Sequence, residues 1–229
     1  MKKNNEVKTN TFTDEGRLLQ TEYAIKNVSE AGTIMGIVCT DGIVLVGINA
    51  AKTEIKEKIY KLDERTFCAV AGLFGDANRI IHYARTRSIA LASKIASSVK
   101  TKTLCKEIAY EMQIFTQYSN TRPFGVSFLY AGYDDEEYVL YSTDPSGTIN
   151  KWNMWAIGKD ENSINSNFKN EYNGESFDMK TGTKFLMKSL FKARECNPEI
   201  AECIEVLHYS ATIKRFLKTE EIENFIKEI

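Results

Sequence analysis

The sequence predicts an α+β fold: two antiparallel sheets packed face to face, with helix pairs covering both outer surfaces in a four-layer αββα sandwich. Three observations lead there. Short β-rich runs come in pairs around turn residues, most clearly Ile34 to Cys39 and Ile43 to Ile48 around Asp41-Gly42, a strong hairpin signal. Between the strand groups lie longer stretches, two at a time, whose apolar residues recur at helical spacing. No low-complexity linker divides the 229 residues, and a chain of this length buries about 70% of its extended surface on folding, so one domain is expected. The dominance of hairpins fits poorly with a doubly wound parallel sheet.

In chain order, the first helix is predicted from Leu18 to Val28, with Leu18, Thr21, Ala24, Ile25 and Val28 along one side. After the Asp41-Gly42 hairpin, a second strand pair, Ile59 to Leu62 and Phe67 to Ala71, surrounds Asp63-Glu64. Asp76 is placed as N-cap of a long helix striped by Ile80, Ala84, Leu91 and Ile95. Another helix follows Thr103, with Leu104, Ile108, Met112 and Phe115 on one face. Phe124 to Tyr133 and Tyr138 to Thr143 read as strands around the acidic turn Asp134 to Glu137. Asp144-Pro145-Ser146-Gly147 has the residue order of a β-turn, and Trp152 to Ile157 continues the sheet. Helices from Asn162 to Tyr172 and Phe177 to Arg194 precede strands near Cys203 to Tyr209 and Lys214 to Leu217. Thr219 is expected to cap a last helix with Ile222, Phe225, Ile226 and Ile229 on one side.

Charge is nearly balanced, with 30 Lys and Arg against 31 Asp and Glu, which gives no electrostatic case for a nucleic acid or a membrane surface as partner. Met1 to Asn10 is polar and lacks the apolar core of a secretory signal, and no run approaches the length of a membrane span, so an intracellular protein is expected. Cys39, Cys68, Cys105, Cys196 and Cys203 form an odd set without a CxxC pair and read as reduced, mostly buried thiols. No cofactor or metal is expected. His82 and His208 lie far apart in sequence and read as structural, and the Asp134 to Glu137 cluster reads as a solvated hairpin tip.

Two segments carry a resemblance: Thr11-Phe12-Thr13-Asp14-Glu15-Gly16-Arg17-Leu18-Leu19-Gln20-Thr21-Glu22-Tyr23-Ala24, and Tyr118-Ser119-Asn120-Thr121-Arg122-Pro123-Phe124-Gly125-Val126. Together they resemble the α-type subunits of the 20S proteasome core particle, over almost the whole chain. The resemblance implies the N-terminal nucleophile hydrolase fold without a catalytic role. It divides the chain into a gate tail (1–14), the α-type N-terminal helix (18–29) and the sandwich (33–229). Partners implied are other α subunits in a hetero-heptameric ring, β-ring subunits and the C-terminal tails of regulatory-particle ATPases, in cytoplasm and nucleus. Glu57 to Leu62, Gly75 to Asn78 and Tyr118 to Val126 look most like the alpha type-4 members, at ring position α3, with alpha type-2 second.

Catalytic relatives cleave before a Thr whose freed amine activates its own hydroxyl, and Gly32-Thr33 is the matching dipeptide, so a self-processing threonine hydrolase using Thr33 is the competing reading. Against it, Thr33 lies one residue nearer the turn glycine Gly42 than in those relatives, and such a slip sends a strand side chain to the opposite face. Aligning on Gly42 also places Ile48 where they have an Asp. Lys58 matches their supporting lysine, and read alone it is equally an exposed strand-end charge. In α-type subunits a lysine in this context lines a pocket for an activator's C-terminal carboxylate, and Gly72 and Leu18 match other positions of that pocket. Glu6, Asp14 and Tyr23 mark the gate region: Asn5-Glu6-Val7 replaces the common Tyr-Asp-Arg stretch, Asp14 replaces a proline, and Tyr23 is retained. The Leu18 to Val28 helix resembles one packed near ring interfaces, and periodicity alone is equally satisfied by a helix packed on its own domain. For Arg122 to Gly125, Pro123 is expected to stop the preceding helix, Phe124 to begin a core strand and Gly125 to permit close backbone approach.

Overall fold

The computed structural model describes residues 10–49, 58–194 and 198–229. Helix α1 (Leu19–Ser29) is followed by strands β1 (Ile34–Val38), β2 (Ile43–Ile48), β3 (Ile59–Lys61) and β4 (Phe67–Gly72). Helices α2 (Phe74–Ile95) and α3 (Thr101–Gln117) lead to β5 (Val126–Asp134), β6 (Glu137–Thr143), β7 (Ile149–Trp152) and β8 (Met154–Ile157). Next come α4 (Glu161–Glu171), α5 (Met179–Ala193), a 3-10 turn (Pro198–Cys203), β9 (Ile204–Tyr209), β10 (Lys214–Phe216) and α6 (Thr219–Lys227). The strands form two five-stranded antiparallel sheets, ordered β10-β9-β2-β1-β8 and β3-β4-β5-β6-β7.

Side-chain alternation builds the predicted four layers. On β2, Ile43 and Leu45 meet Leu129 and Ala131 of β5 between the sheets, while Val44, Val46 and Ile48 face Leu186, Leu190 and Ile164 of the α4–α5 layer. On β5, Phe128 and Tyr130 turn the other way, against Ile80 and Ala84 of α2 and Ile108 and Met112 of α3. The Asp41-Gly42 hairpin pairs Val38 with Ile43 as expected.

The segment from Trp152 to Ile157 departs from its prediction. It is two strands in different sheets: β7 pairs Trp152 with Leu140, whereas β8 pairs Ile157 with Ile34. The chain crosses at Asn153, whose carbonyl accepts from Val38 N at 2.7 Å, and the Trp152 and Trp155 rings stack at 3.8 Å across the change of sheet.

Three helix starts differ from their predictions, each in its own way. Helix α2 begins at Phe74, so Asp76 lies in its first turn and does not cap it; Ile95, at its last position, is exposed. Helix α3 begins at Thr101, before the predicted boundary at Thr103. Its free amides are taken by Asp134, whose carboxylate oxygens lie 2.8 Å from Thr101 N and 2.9 Å from Lys102 N. Asp134 is therefore 6% exposed and no part of a solvated tip. Asp135 and Glu136 make that tip in left-handed conformation, with Lys100 paired to Asp135. Helix α6 starts at Thr219 itself with Lys218 in the N-cap position, the Lys218 N–H donating to Glu221 at 3.0 Å. No helix among the described residues is long and apolar enough to cross a membrane.

Candidate functional site

Lys58 stands at the start of β3, where Glu205 of β9 accepts from the Lys58 and Ile59 amides, each at 2.9 Å. Its side chain runs inward and is not an exposed strand-end charge: Lys58 is 4% exposed. Two glycines make the passage. A Cβ on Gly47 would sit 2.4 Å from Lys58 Cβ, and one on Gly32 would sit 3.0 Å from Lys58 Nζ. The ammonium donates to the carbonyls of Gly32 at 3.2 Å and Val70 at 3.1 Å and lies 5.8 Å from the centre of the Phe74 ring. Burial lowers its pKa to about 8.

Thr33 does not share this environment. It is fully buried, and its hydroxyl donates to the Lys159 carbonyl at 2.8 Å, while Gly32, with no side chain, faces Lys58. Ile48 packs with the α4–α5 layer and offers no carboxylate. Among the described residues, a nucleophile, its base and an orienting group are thus not assembled around Lys58. A separate cavity of about 330 Å³ opens between Ile25 and Val28 of α1, Ser142 of β6 and Asn165 of α4; Lys58 and Thr33 are not among the described residues that line it, nor is any histidine or cysteine.

The other titratable candidates sit in structural places. His208 Nε2 lies 2.8 Å from Thr183 Oγ1, and burial together with Arg215 lowers its pKa; His82 is on the exposed face of α2. Cys39, Cys68 and Cys105 are buried free thiols, and burial raises Cys39 to about 12. Cys203 is half-buried, and Cys196 lies outside the described residues. Among the described residues no group of His, Cys, Asp and Glu is arranged to hold a metal.

Gly72 ends β4 at φ +129°, and a Cβ there would lie 2.1 Å from the Gly125 carbonyl oxygen. That oxygen accepts from Leu73 N at 2.9 Å and from Asn27 Nδ2 of α1 at 3.3 Å. On the other side of the same loop, Asp76 takes Arg122 in a bidentate pair at 2.6 and 2.7 Å and the Gly125 amide at 2.8 Å. The loop thereby joins α1, the β4–α2 corner and β5. Helix α3 has already ended at Gln117, so Pro123 is not its stop, and Arg122 serves as the partner of Asp76.

Burial pushes the Asp76 pKa up, but the hydrogen bonds from Arg122 and Gly125 and the positive charge of Arg122 and Arg79 hold it below 3.8. A carboxylate depressed in the folded state contributes stability above its unfolded pKa that is lost as pH falls through the folded value. Asp76→Asn is therefore expected to flatten the loss of stability below pH 3.8, which urea unfolding across pH 2 to 5 would measure.

Leu18 occupies the N-cap position of α1, a helix packed on β4 and β5 through Thr21 and Val28. Tyr23 points outward and is 56% exposed, and Ile25 is also exposed. Asp14 is exposed in a turn closed by Gly16 N to Thr13 O and Thr13 N to Arg17 O, each 2.9 Å. Glu6 and Glu57 lie outside the described residues. The structure therefore brings Lys58 beside Val70 and the Phe74 ring, near Gly72, whereas Leu18, Asp14 and Tyr23 belong to α1 and its approach.

The chain matches the family model for a proteasome subunit over residues 28–207. It is 48% identical over 226 residues to a probable proteasome subunit alpha type-3 of Encephalitozoon cuniculi, covering 98% of this chain and 97% of that one. It is 33% identical over 233 residues to a proteasome subunit alpha type-4 of Dictyostelium discoideum, covering 96% and 93%. A proteasome subunit alpha type-4 of Spinacia oleracea is 33% identical over 213 residues, covering 90% and 85%.

Proposed function

This chain belongs to the proteasome subunit family as an α-type member, and from that premise we propose that it forms one position of a hetero-heptameric α ring on the 20S core particle. It is a non-catalytic subunit that assembles with other proteasome subunits. The observation that carries this is the pairing of Lys58 with the bare Gly32 carbonyl, while the Thr33 hydroxyl is buried against Lys159. Within the family, the relative at 48% identity carries the alpha type-3 name and those at 33% carry the alpha type-4 name that the sequence motifs suggested.

In the finer reading, Lys58, Gly72 and Leu18 contribute to a pocket that receives the C-terminal carboxylate of a regulatory-particle ATPase tail. A buried ammonium held only by neutral carbonyls among the described residues is a favourable partner for an arriving carboxylate. The segment containing Glu6 and Asp14, with Tyr23 behind it, gates substrate admission in ubiquitin-dependent degradation, in cytoplasm and nucleus. The β subunits perform the proteolysis.

Thr33→Ala in reconstituted core particles is expected to leave peptide hydrolysis unchanged, since the hydroxyl only closes a local hydrogen bond. Loss of a peptidase activity in such particles would remove the non-catalytic reading.

A further inference from the structure

Helix α3 ends in carbonyls that no intrahelical amide can reach, and such groups need donors from elsewhere. The donor here comes from more than a hundred residues upstream. Asn10 Nδ2 lies 3.1 Å from Phe115 O, 2.7 Å from Tyr118 O and 3.1 Å from both Thr121 O and Thr121 Oγ1. Thr121 Oγ1 lies within donating distance of the same two helix-end carbonyls, at 2.9 Å from Phe115 O and 2.8 Å from Tyr118 O. One amide group and one hydroxyl thus close the end of α3.

The residue type suits the position in two ways. Asn10 is left-handed at φ +60°, a conformation that Asn adopts more readily than other residues with a side chain, glycine apart. Its NH2 offers two hydrogens to the negative end of a helix dipole, where an aspartate would face carbonyl oxygens with a like charge. Among the described residues the buried Asn10 Oδ1 has no hydrogen-bond partner, and their contacts hold the side chain by its donor half.

We infer that Asn10 is a positioning residue for the gate: it pins the root of the N-terminal segment to the C-terminus of α3. The inference rests on the gating reading above for its consequence, but the anchor itself is separately measurable. The same contact joins the tail to the Arg122–Gly125 loop, because Thr121 is the residue before Arg122 and Arg79 stacks on both Phe115 and Phe124. A change at the tail root therefore acts on the junction that also holds α1 and the β4–α2 corner.

The test uses assembled core particles carrying this full chain as wild type, Asn10→Asp, Asn10→Gly or a deletion of residues 1–9. Asn10→Gly permits the left-handed backbone and removes the side-chain donor, so loss of the anchor in it is not a product of backbone strain, while Asn10→Asp keeps a side chain of the same shape and controls for the added freedom of glycine. By hydrogen exchange, both substitutions are expected to accelerate amides in peptides covering 10–16 and 115–122 by about tenfold or more, Asn10→Asp the most. Basal hydrolysis of a short peptide should rise toward the rate of the deletion particle, while the activator-stimulated rate stays at wild type because the β-subunit chemistry is untouched. Wild-type exchange in Asn10→Asp overturns the anchor. Faster exchange with unchanged basal hydrolysis, in particles where the deletion does raise it, overturns the positioning role. If the deletion itself changes nothing, the gating reading fails and exchange alone decides the anchor.

Discussion

Gly72→Ala is expected to lower the stability of the folded chain by roughly 3–5 kcal/mol, enough to prevent its incorporation into particles. Two independent costs meet at this position. The backbone sits at φ +129°, which a residue with a Cβ resists, and that Cβ would be 2.1 Å from the Gly125 carbonyl oxygen, a backbone atom that cannot swing aside. The carbonyl is held by Leu73 N and Asn27 Nδ2, so moving it also loosens α1 and the β4–α2 corner. Gly75→Ala is the contrasting control: it lies in α2, a Cβ there meets nothing within 4 Å, and a gain of roughly 0.5 kcal/mol is expected. Urea unfolding of both variants, with particle incorporation as a second readout, checks the pair.

Lys58→Met is expected to weaken activator docking by about tenfold or more at its pocket, the worth of a charge-assisted hydrogen bond to a carboxylate in a buried setting. It also predicts a pH signature. With a folded pKa of about 8 against 10.5 for an ordinary lysine, the folded chain binds fewer protons than the unfolded chain between those values. Stability should therefore rise with pH from about 8 to 10.5, by an amount on the order of 3 kcal/mol, and the burial cost is fully present below pH 8. Lys58→Met removes that slope. Its absolute stability is the poorer readout, because the carbonyls of Gly32 and Val70 lose their donor. A docked carboxylate favours the charged lysine, so activator affinity should fall as pH rises above about 8, and it should not do so in the variant. Equal alkaline slopes in wild type and Lys58→Met would contradict the buried-cation account.

The layered fold was legible because burial periodicity is local: a strand reports two faces every second residue and a helix reports one, whatever the rest of the chain does. The Asp41-Gly42 turn was legible for the same reason. The change of sheet at Asn153 was not, since Trp152, Met154 and Trp155 are equally at home on either side of it and only the partners, Leu140 and Ile34, tell the strands apart. Asp76 and Asp134 were read as a local cap and a local tip because short-range rules see only neighbouring amides. Their carboxylates instead go to Arg122, 46 residues away, and to the first amides of α3.

Within the site, the exclusion of Thr33 was readable from its spacing to Gly42, because register decides which face a side chain takes. The depth of Lys58 was not. It depends on Gly32 and Gly47 leaving room along strands that the sequence around Glu57-Lys58-Ile59 does not contain. Asn10 was missed altogether: an Asn in a polar tail carries no sign of the helix end it closes, although the end of α3 itself, short of donors, was a place to look for one.

The central claim is that this chain enters a large assembly uncut and without a nucleophile of its own. Native mass spectrometry of the complex purified from its own cells, with ejection of individual subunits, tests it most directly. The expected result is a very large particle that releases this chain with the residues ahead of Thr33 still attached. A released chain that begins at Thr33 would contradict the claim, since only self-processing at Gly32-Thr33 would produce it.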